Sequence, residues 1–345
     1  MNTCKNCHVP TIISRDQTWN DDGTITLTTI NNFRMVLLEV PLLNELVTRL
    51  EAVGGPTVKE LMTEGSRRGA YSYANGLLKG PLRFVVRHTT TGARIAYSKL
   101  MDSAWALGLG KIFLESYEHH QRLTGKVYNP FNLPLLTGIV HGSYEAIEGL
   151  SSKSSWTQKG QFSEVSIWTD KGAPAIEKAP DVVMLDRTKA TIKRERCSNC
   201  HLPKDVARFK WRSEKGDIED ERTGTRMVMI GLTDMGHVFT TLDKTVGPTV
   251  NETIRAVNFE YGQQMVKKGF VGSLDDLCTD LAAKGLSYVS VRRDAEETVL
   301  LVQNHYHKDF ILGRCLGVHE ALMGKGYKTD IKDNGVGTVT LKLTK

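Results

Sequence analysis

Polar and apolar positions alternate over residues 24–28, and residues 33–38 form a largely apolar run; two short strands joined by a turn fit both. Pro41 suits a first helical position. Leu42, Leu46, Leu50 and Val53 then recur on one helical face, with Leu43 and Val47 beside them, and Gly54-Gly55 supplies a stop. A second helical pattern covers residues 57–78, interrupted by Gly65, Gly69 and Gly76. Glycines at that spacing lower helix propensity but allow close backbone approach, so they read as packing positions before ligand positions. A Gly-containing helix over 136–147 and a strand over 162–168 follow. The order then returns: strands over 217–222 and 226–230 about a Thr223-Gly224 turn, a helix over 312–323, and a strand over 337–343 with Val339, Leu341 and Leu343 alternating. The pattern predicts an α+β fold with helices packed on a small antiparallel sheet, present in two tandem copies.

The repetition extends to identities. Cys4-Lys-Asn-Cys7-His8-Val-Pro10 recurs as Cys197-Ser-Asn-Cys200-His201-Leu-Pro203, at an offset of 193. Trp19 meets Trp211, Arg34-Met35-Val36 meets Arg226-Met227-Val228, and Gly55-Pro-Thr-Val58 meets Gly247-Pro-Thr-Val250, all at 192. Later, Asn129 meets Asn304, Gly142 meets Gly317, and Glu145-Ala146 meets Glu320-Ala321, at 175. The drop in offset puts eighteen extra residues in the first copy, between Gly76 and Asn129. A repeat this long is a whole domain rather than a solenoid unit. The copies span 1–168 and 195–345. The segment 169–194, with Gly172-Ala-Pro174, Ala179-Pro180 and Lys193-Arg194, has the composition of a linker.

Each copy offers one Cys-x-x-Cys knuckle, which is half of a tetrahedral zinc site. The simplest source of the missing pair is the other copy. Cys4, Cys7, Cys197 and Cys200 then share one zinc across a pseudo-twofold. Alternatively each knuckle recruits its own His8 or His201 and a fourth group. Covalent haem c is the rival that a Cys-x-x-Cys-His motif allows, but that attachment normally follows export. No apolar leader follows Met1 and no run approaches a membrane span, so the expectation is a cytoplasmic protein with reduced thiols. The net charge of +6 is spread along the chain; it permits an acidic partner and does not demand nucleic acid.

Leu312-Gly-Arg-Cys315-Leu-Gly317-Val-His-Glu320-Ala-Leu322-Met-Gly324-Lys-Gly326-Tyr327 leads into the strand at 337–343. With this stretch the second part of each copy resembles the 4-vinyl reductase domain, a small-molecule or hydrocarbon-binding module. Val302-Gln-Asn304 and Val127-Tyr-Asn129 also carry the resemblance. It covers residues 57–168 and 249–345. It implies a pocket between the helices of each copy, with Asn129, Glu145, Asn304, Cys315 and Glu320 as pocket residues. The family's final hairpin usually carries further cysteines, and residues 329–345 have none. The N-terminal third of each copy resembles a small zinc-ribbon hairpin.

Other candidates have structural readings beside functional ones. In and beside the extra segment, Arg83, Arg87, His88 and Arg94 are candidate anion contacts or the solvated charges of a surface β-hairpin. Arg34 and Arg226 read as braces of the knuckle, Trp19 and Trp211 as covers of the hairpin base, and Cys278 as buried filling. His305-x-His307 would place two imidazoles on one face of a strand, whereas His119-His120, on a helix, would diverge. A nucleotide-binding glycine loop, a His-Glu-x-x-His and a nucleophile elbow are missing, so the sequence leans away from an enzyme. The expected function is a zinc-stabilised binding protein for an apolar or amphipathic small molecule, a sensor or a carrier serving an enzyme complex. The alternative is an accessory or scaffold subunit that binds a protein or nucleic acid through its knuckles and basic insertion.

Overall fold

A computed structural model describes residues 2–30, 33–174, 176, 188, 191–335 and 337–345. The fold is α+β. The first half runs α1 (Thr11–Asp16), β1 (Gln17–Trp19), β2 (Ile25–Leu27), β3 (Arg34–Glu39), α2 (Val40–Gly54), α3 (Thr57–Leu77), α4 (Pro81–His88), α5 (Thr90–Ala106), β4 (Lys111–Glu118), β5 (Arg122–Tyr128), α6 (Leu133–Glu148), β6 (Ser152–Lys159) and β7 (Phe162–Thr169). The second half opens on a 3-10 turn (Lys204–Arg208). It continues as β8 (Phe209–Arg212), β9 (Asp217–Asp220), β10 (Thr225–Gly231), α7 (Leu232–Val246), α8 (Thr249–Lys267), α9 (Leu274–Ala283), β11 (Tyr288–Arg293), β12 (Glu297–Gln303), α10 (Lys308–Met323), β13 (Lys328–Asp333) and β14 (Thr338–Thr344). Among the elements of the described residues, only α4 lacks a partner in this order. The extra segment of the first half is therefore α4 and a longer α5, not the surface β-hairpin its Thr-Gly pair suggested. Most of the linker reading over 169–194, including Ala179-Pro180, lies outside the described residues.

The described residues form three antiparallel sheets. One has six strands in the order β1-β2-β3-β10-β9-β8, and each half adds a four-stranded sheet, β4-β5-β7-β6 and β11-β12-β14-β13. The six-stranded sheet joins the halves through β3 and β10. In that pairing Leu37 faces Met229, its own counterpart at an offset of 192, while Met35 faces Gly231 and Glu39 faces Met227. Residue i meeting j′ while j meets i′ is the signature of a self-complementary, twofold-type contact.

Matched bonds tie each half's hairpin to the other half. Trp19 Nε1 donates to the Ala283 carbonyl at 2.9 Å, and Trp211 Nε1 to the Ala106 carbonyl at 2.8 Å. The Leu37 amide donates to Lys284 and the Met229 amide to Leu107, both at 2.8 Å. The Arg34 guanidinium donates to the carbonyls of Gly285, Leu286 and Asn304, and that of Arg226 to Asn129 and Pro130. These arginines brace one half against the other rather than bracing their own knuckles. Two hydrophobic clusters of the described residues accordingly draw on both halves; the larger includes Leu46, Tyr144, Leu242 and Phe310, and the smaller Trp19, Leu37, Ile218 and Met229.

The helical glycines are contact points. A Cβ on Gly142 would lie 2.0 Å from the Arg67 carbonyl oxygen, and one on Gly317 would lie 2.0 Å from that of Phe259. Gly65 and Gly69 likewise abut the Val238 and Asp234 backbones of α7, at 2.5 and 2.4 Å. Gly142→Ala should therefore push α6 off α3 and destabilise the fold by about 1–3 kcal/mol, because backbone cannot yield as a side chain does. Urea unfolding of the variant measures this; a change under half a kcal/mol contradicts the packing.

Candidate functional site

The knuckles meet. In each, the first cysteine's amide bonds across a tight turn, Cys4 to Val9 and Cys197 to Leu202, both at 2.8 Å. His8 and His201 sit in the left-handed region at φ 59° and 60°, where they close the turn. The turn aims the sulfurs inward and leaves both histidines outside the four-sulfur group. Cys4 Sγ lies 3.8 Å from Cys197 Sγ, and Cys7 Sγ lies 3.4 Å from Cys200 Sγ. All four sulfurs lie within 4.8 Å of one another. A tetrahedron of sulfurs at the Zn–S distance of ~2.3 Å has edges of about 3.75 Å, so the group could hold a metal ion with little movement. None of the six cysteines is in a disulfide. Burial works against the Cys4 thiolate, but the Asn199 amide at 3.2 Å and the backbone N–H groups of Cys7 and Asn6 outweigh it, bringing its pKa down to about 6.

The first half also forms a partly open apolar pocket of about 110 Å³. Its walls come from α5 (Tyr97, Met101, Ala104), β4 and β5 (Ile112, Leu114, Leu123, Gly125, Val127) and α6 (Ile139, Val140, Ser143). Phe33, just before β3, Met35 of β3 and Tyr73 of α3 contribute from the same half; Met229, Ile230, Gly231 and Asp234 close it from the other. The alternation of β5 puts Leu123, Gly125 and Val127 on the cavity face.

The counterpart positions in the second half are filled. The matched bonds above equate Leu107 with Lys284, and the matching cap bonds, Leu107 to Ser103 and Lys284 to Asp280, equate Ser103 with Asp280. Ile139 corresponds to Arg314, Gly231 to Glu39, and Val140 to Cys315. Where the first half has a hollow, the second has a buried ion network. Arg314 donates to both Glu39 oxygens at 3.0 and 3.1 Å, and Lys284 donates to Glu39 at 2.7 Å and Asp280 at 2.8 Å. Arg208 reaches Asp280 at 2.6 Å, and Arg222 also donates to it. The Arg314 guanidinium lies over Tyr261 and Phe310. Burial pushes Glu39 up, but Arg314 and Lys284 prevail and hold its pKa near 2.

The predicted pocket residues scatter. Asn129 and Asn304 lie at the seam, both at positive φ, and bond Asp217 and the Asp22 carbonyl of the opposite halves. Glu145 is locked in a bidentate pair with buried Arg67 at 2.8 and 2.9 Å, and Glu320 accepts from Gln263 at 3.0 Å. Cys315 is buried among the second half's core residues, and burial raises its thiol pKa strongly. The predicted anion contacts serve the fold: Arg83 donates to the Leu78 and Asn75 carbonyls, and Arg87 to that of Ala146. His88 packs on Phe84, and Arg94 lies over Tyr117.

Two histidine readings are corrected. His305-x-His307 is not in a strand; it lies between β12 and α10, with His307 against Phe239. His119-His120 is not in a helix but in the β4–β5 turn, with His120 at φ 60°. There both imidazoles face Glu148, Nδ1 to carboxylate oxygen being 3.4 and 3.2 Å. The Glu148 side chain is 0 % exposed. It accepts from Tyr97 at 2.8 Å, Tyr117 at 2.9 Å and the His120 amide at 2.9 Å. The ligand atoms of His119, His120 and Glu148 lie within 4.8 Å, so this N,N,O group could also share a cation. Helical geometry would set the two imidazoles apart, and the turn brings them together.

No helix of the described residues is long and apolar enough to cross a membrane. No protein-family model and no curated protein matches this chain. Solved H-NOX domains align with part of it. An H-NOX structure concerned with the mechanism of H-NOX activation has 14 % identity and a TM-score of 0.26, covering 34 % of this chain and 75 % of its own. A Cs H-NOX variant has 19 % identity and a TM-score of 0.26, covering 36 % and 77 %. An oxygen-binding H-NOX domain related to soluble guanylate cyclases has 17 % identity and a TM-score of 0.23, covering 32 % and 68 %.

Proposed function

We propose that this chain is a zinc-stapled binding protein for one small apolar or amphipathic molecule, held in the cavity of its first half, and that it acts as a sensor or carrier rather than an enzyme. The observation that carries this reading is the asymmetry. The same fold positions form an apolar hollow in one half and a buried ion network in the other. A core that needed only to be stable would fill both, since an empty apolar cavity loses contacts at its lining. A hollow lined by aliphatic and aromatic side chains suits a ligand of about the size of one aromatic ring.

Zinc, when bound by Cys4, Cys7, Cys197 and Cys200, supplies a structural cross-link and no reactive position, because four thiolates close its coordination. The resemblance to the 4-vinyl reductase domain supports the same reading. The Gly-containing helix leading into a final hairpin corresponds to α6–β6–β7 and α10–β13–β14.

Toluene should raise the thermal midpoint of the purified chain in a concentration-dependent way, as any ligand of the folded state does. Gly125→Leu fills the hollow from β5, where a Cβ has ordinary clearance, 3.4 Å from the Phe113 carbonyl oxygen. That variant should be at least as stable as the parent and lose the toluene shift. A shift that survives Gly125→Leu places the ligand elsewhere.

The second reading, docking on a protein partner, is favoured by the apolar surface of α4 and α5. Leu82, Phe84, Val85 and Ile95 are exposed there, Phe84 by 67 %. A Leu82→Ser/Phe84→Ser variant separates the two, since it should leave the toluene shift unchanged.

A further inference from the structure

The polar groups on the cavity wall are not equivalent. Tyr97 donates its hydroxyl to Glu148 at 2.8 Å, and Ser103 donates to the Lys99 carbonyl at 3.0 Å. Asp234, in the first turn of α7, reaches the wall from the second half of the chain. Its Oδ1 lies inside the protein with no hydrogen-bond partner among the described residues. The backbone of α3 presses directly on it, since a Cβ on Gly69 would lie 2.4 Å from that oxygen. A buried acceptor left unpaired is a cost to the fold, since it gives up water without gaining a partner. Packing does not require it, because the counterpart of Asp234 is Leu42, a core residue in the other half. Burial raises the Asp234 carboxyl to a pKa of about 7, against one opposing bond from the Gly231 backbone.

We propose that Asp234 is the group that reads the ligand, and that the cavity takes a small apolar molecule carrying one hydrogen-bond donor, an amine or a hydroxyl, which meets the Asp234 carboxyl. This rests on the cavity being the binding site. It divides the work between the halves: the first encloses the apolar body and the second supplies the polar contact. Neither half alone contains the complete site, which gives the cross-paired sheet a functional role besides a structural one.

Aniline and toluene have nearly the same shape and differ in one donor group, so they are suitable probes. Their dissociation constants are measured by calorimetry for the parent chain and for Asp234→Leu, which installs the residue of the other half. Comparing the aniline-to-toluene ratio between the two proteins cancels the probes' different hydration. The ratio should favour aniline at least tenfold more in the parent than in Asp234→Leu, while toluene binds both. If Asp234→Leu does not fold, Asp234→Ala removes the same carboxyl without adding volume and is read in the same way. An equal ratio in parent and variant overturns the role of Asp234 and leaves the cavity reading standing. Failure of both probes to bind the parent overturns the cavity reading itself.

Discussion

Replacing Cys197 and Cys200 together by serine should release one equivalent of zinc per chain and lower the thermal midpoint by about 10 °C or more. The two knuckles lie 193 residues apart in sequence and contribute two sulfurs each, so one knuckle cannot complete the site. Structural zinc binding is folding free energy, because the unfolded chain has no preformed site. Bound by the four cysteines, zinc would clamp both outer hairpins of the six-stranded sheet, β1-β2 and β9-β8, whose strands are only three or four residues long. Elemental analysis of parent and variant reads the metal, and a thermal scan reads the stability. A parent that binds no zinc, or a variant that keeps its full complement, removes the staple. A parent with two equivalents that loses one on substitution also removes it, because each knuckle then holds an ion of its own.

Arg314→Met should destabilise the chain by about 3–5 kcal/mol, the usual cost of leaving one member of a buried ion pair uncompensated. Arg314 is fully buried and its removal leaves Glu39 with Lys284 alone, which Asp280 already shares. Adding Glu39→Gln to Arg314→Met should recover a large part of the loss, because the stranded charge is then gone. Urea unfolding of the three proteins tests this, and a single variant as stable as the parent contradicts it. The effect is also pH-dependent. Glu39 titrates near 2 in the folded chain and Asp280 is likewise held low by Lys284 after burial is overcome, against roughly 4 when unfolded. A lowered carboxyl contributes stability that is complete above the unfolded value and fades as pH falls through the folded one. The gap between parent and Arg314→Met should therefore be widest above pH ~5 and close towards pH ~2.

The roles of the two glutamates on α6 show what a sequence pattern leaves open. Glu145 and Glu148 are one turn apart, and Glu145 recurs as Glu320 while Glu148 meets Met323. In the fold Glu145 is neutralised by Arg67, while Glu148 faces two histidines and two tyrosine hydroxyls. No periodicity signals the second arrangement, since it depends on a hairpin turn bringing residues 119 and 120 back over the helix end. The arginines and asparagines at the seam make the same point. Arg34 and Asn304 are matched to Arg226 and Asn129 in sequence, yet their bonds run between opposite halves, so the repetition was visible and the exchange of contacts was not.

Local chemistry determined what was legible in the chain alone. Apolar spacing placed α2, α3, α6 and α10 and the flanking strands to within a few residues, because helix and strand periods are set by neighbours along the backbone. The matched knuckles identified the four cysteines of the sulfur cluster, because two half-sites of one chemistry call for a common ion. Only the tertiary structure decided the rest. The pairing of Leu37 with Met229, the hollow in one half against the ion network in the other, and the placing of Asp234 on a wall built largely by the other half all join residues far apart in sequence. Such contacts follow from which surfaces can be buried together, and that is a property of the packed whole rather than of any stretch of the chain.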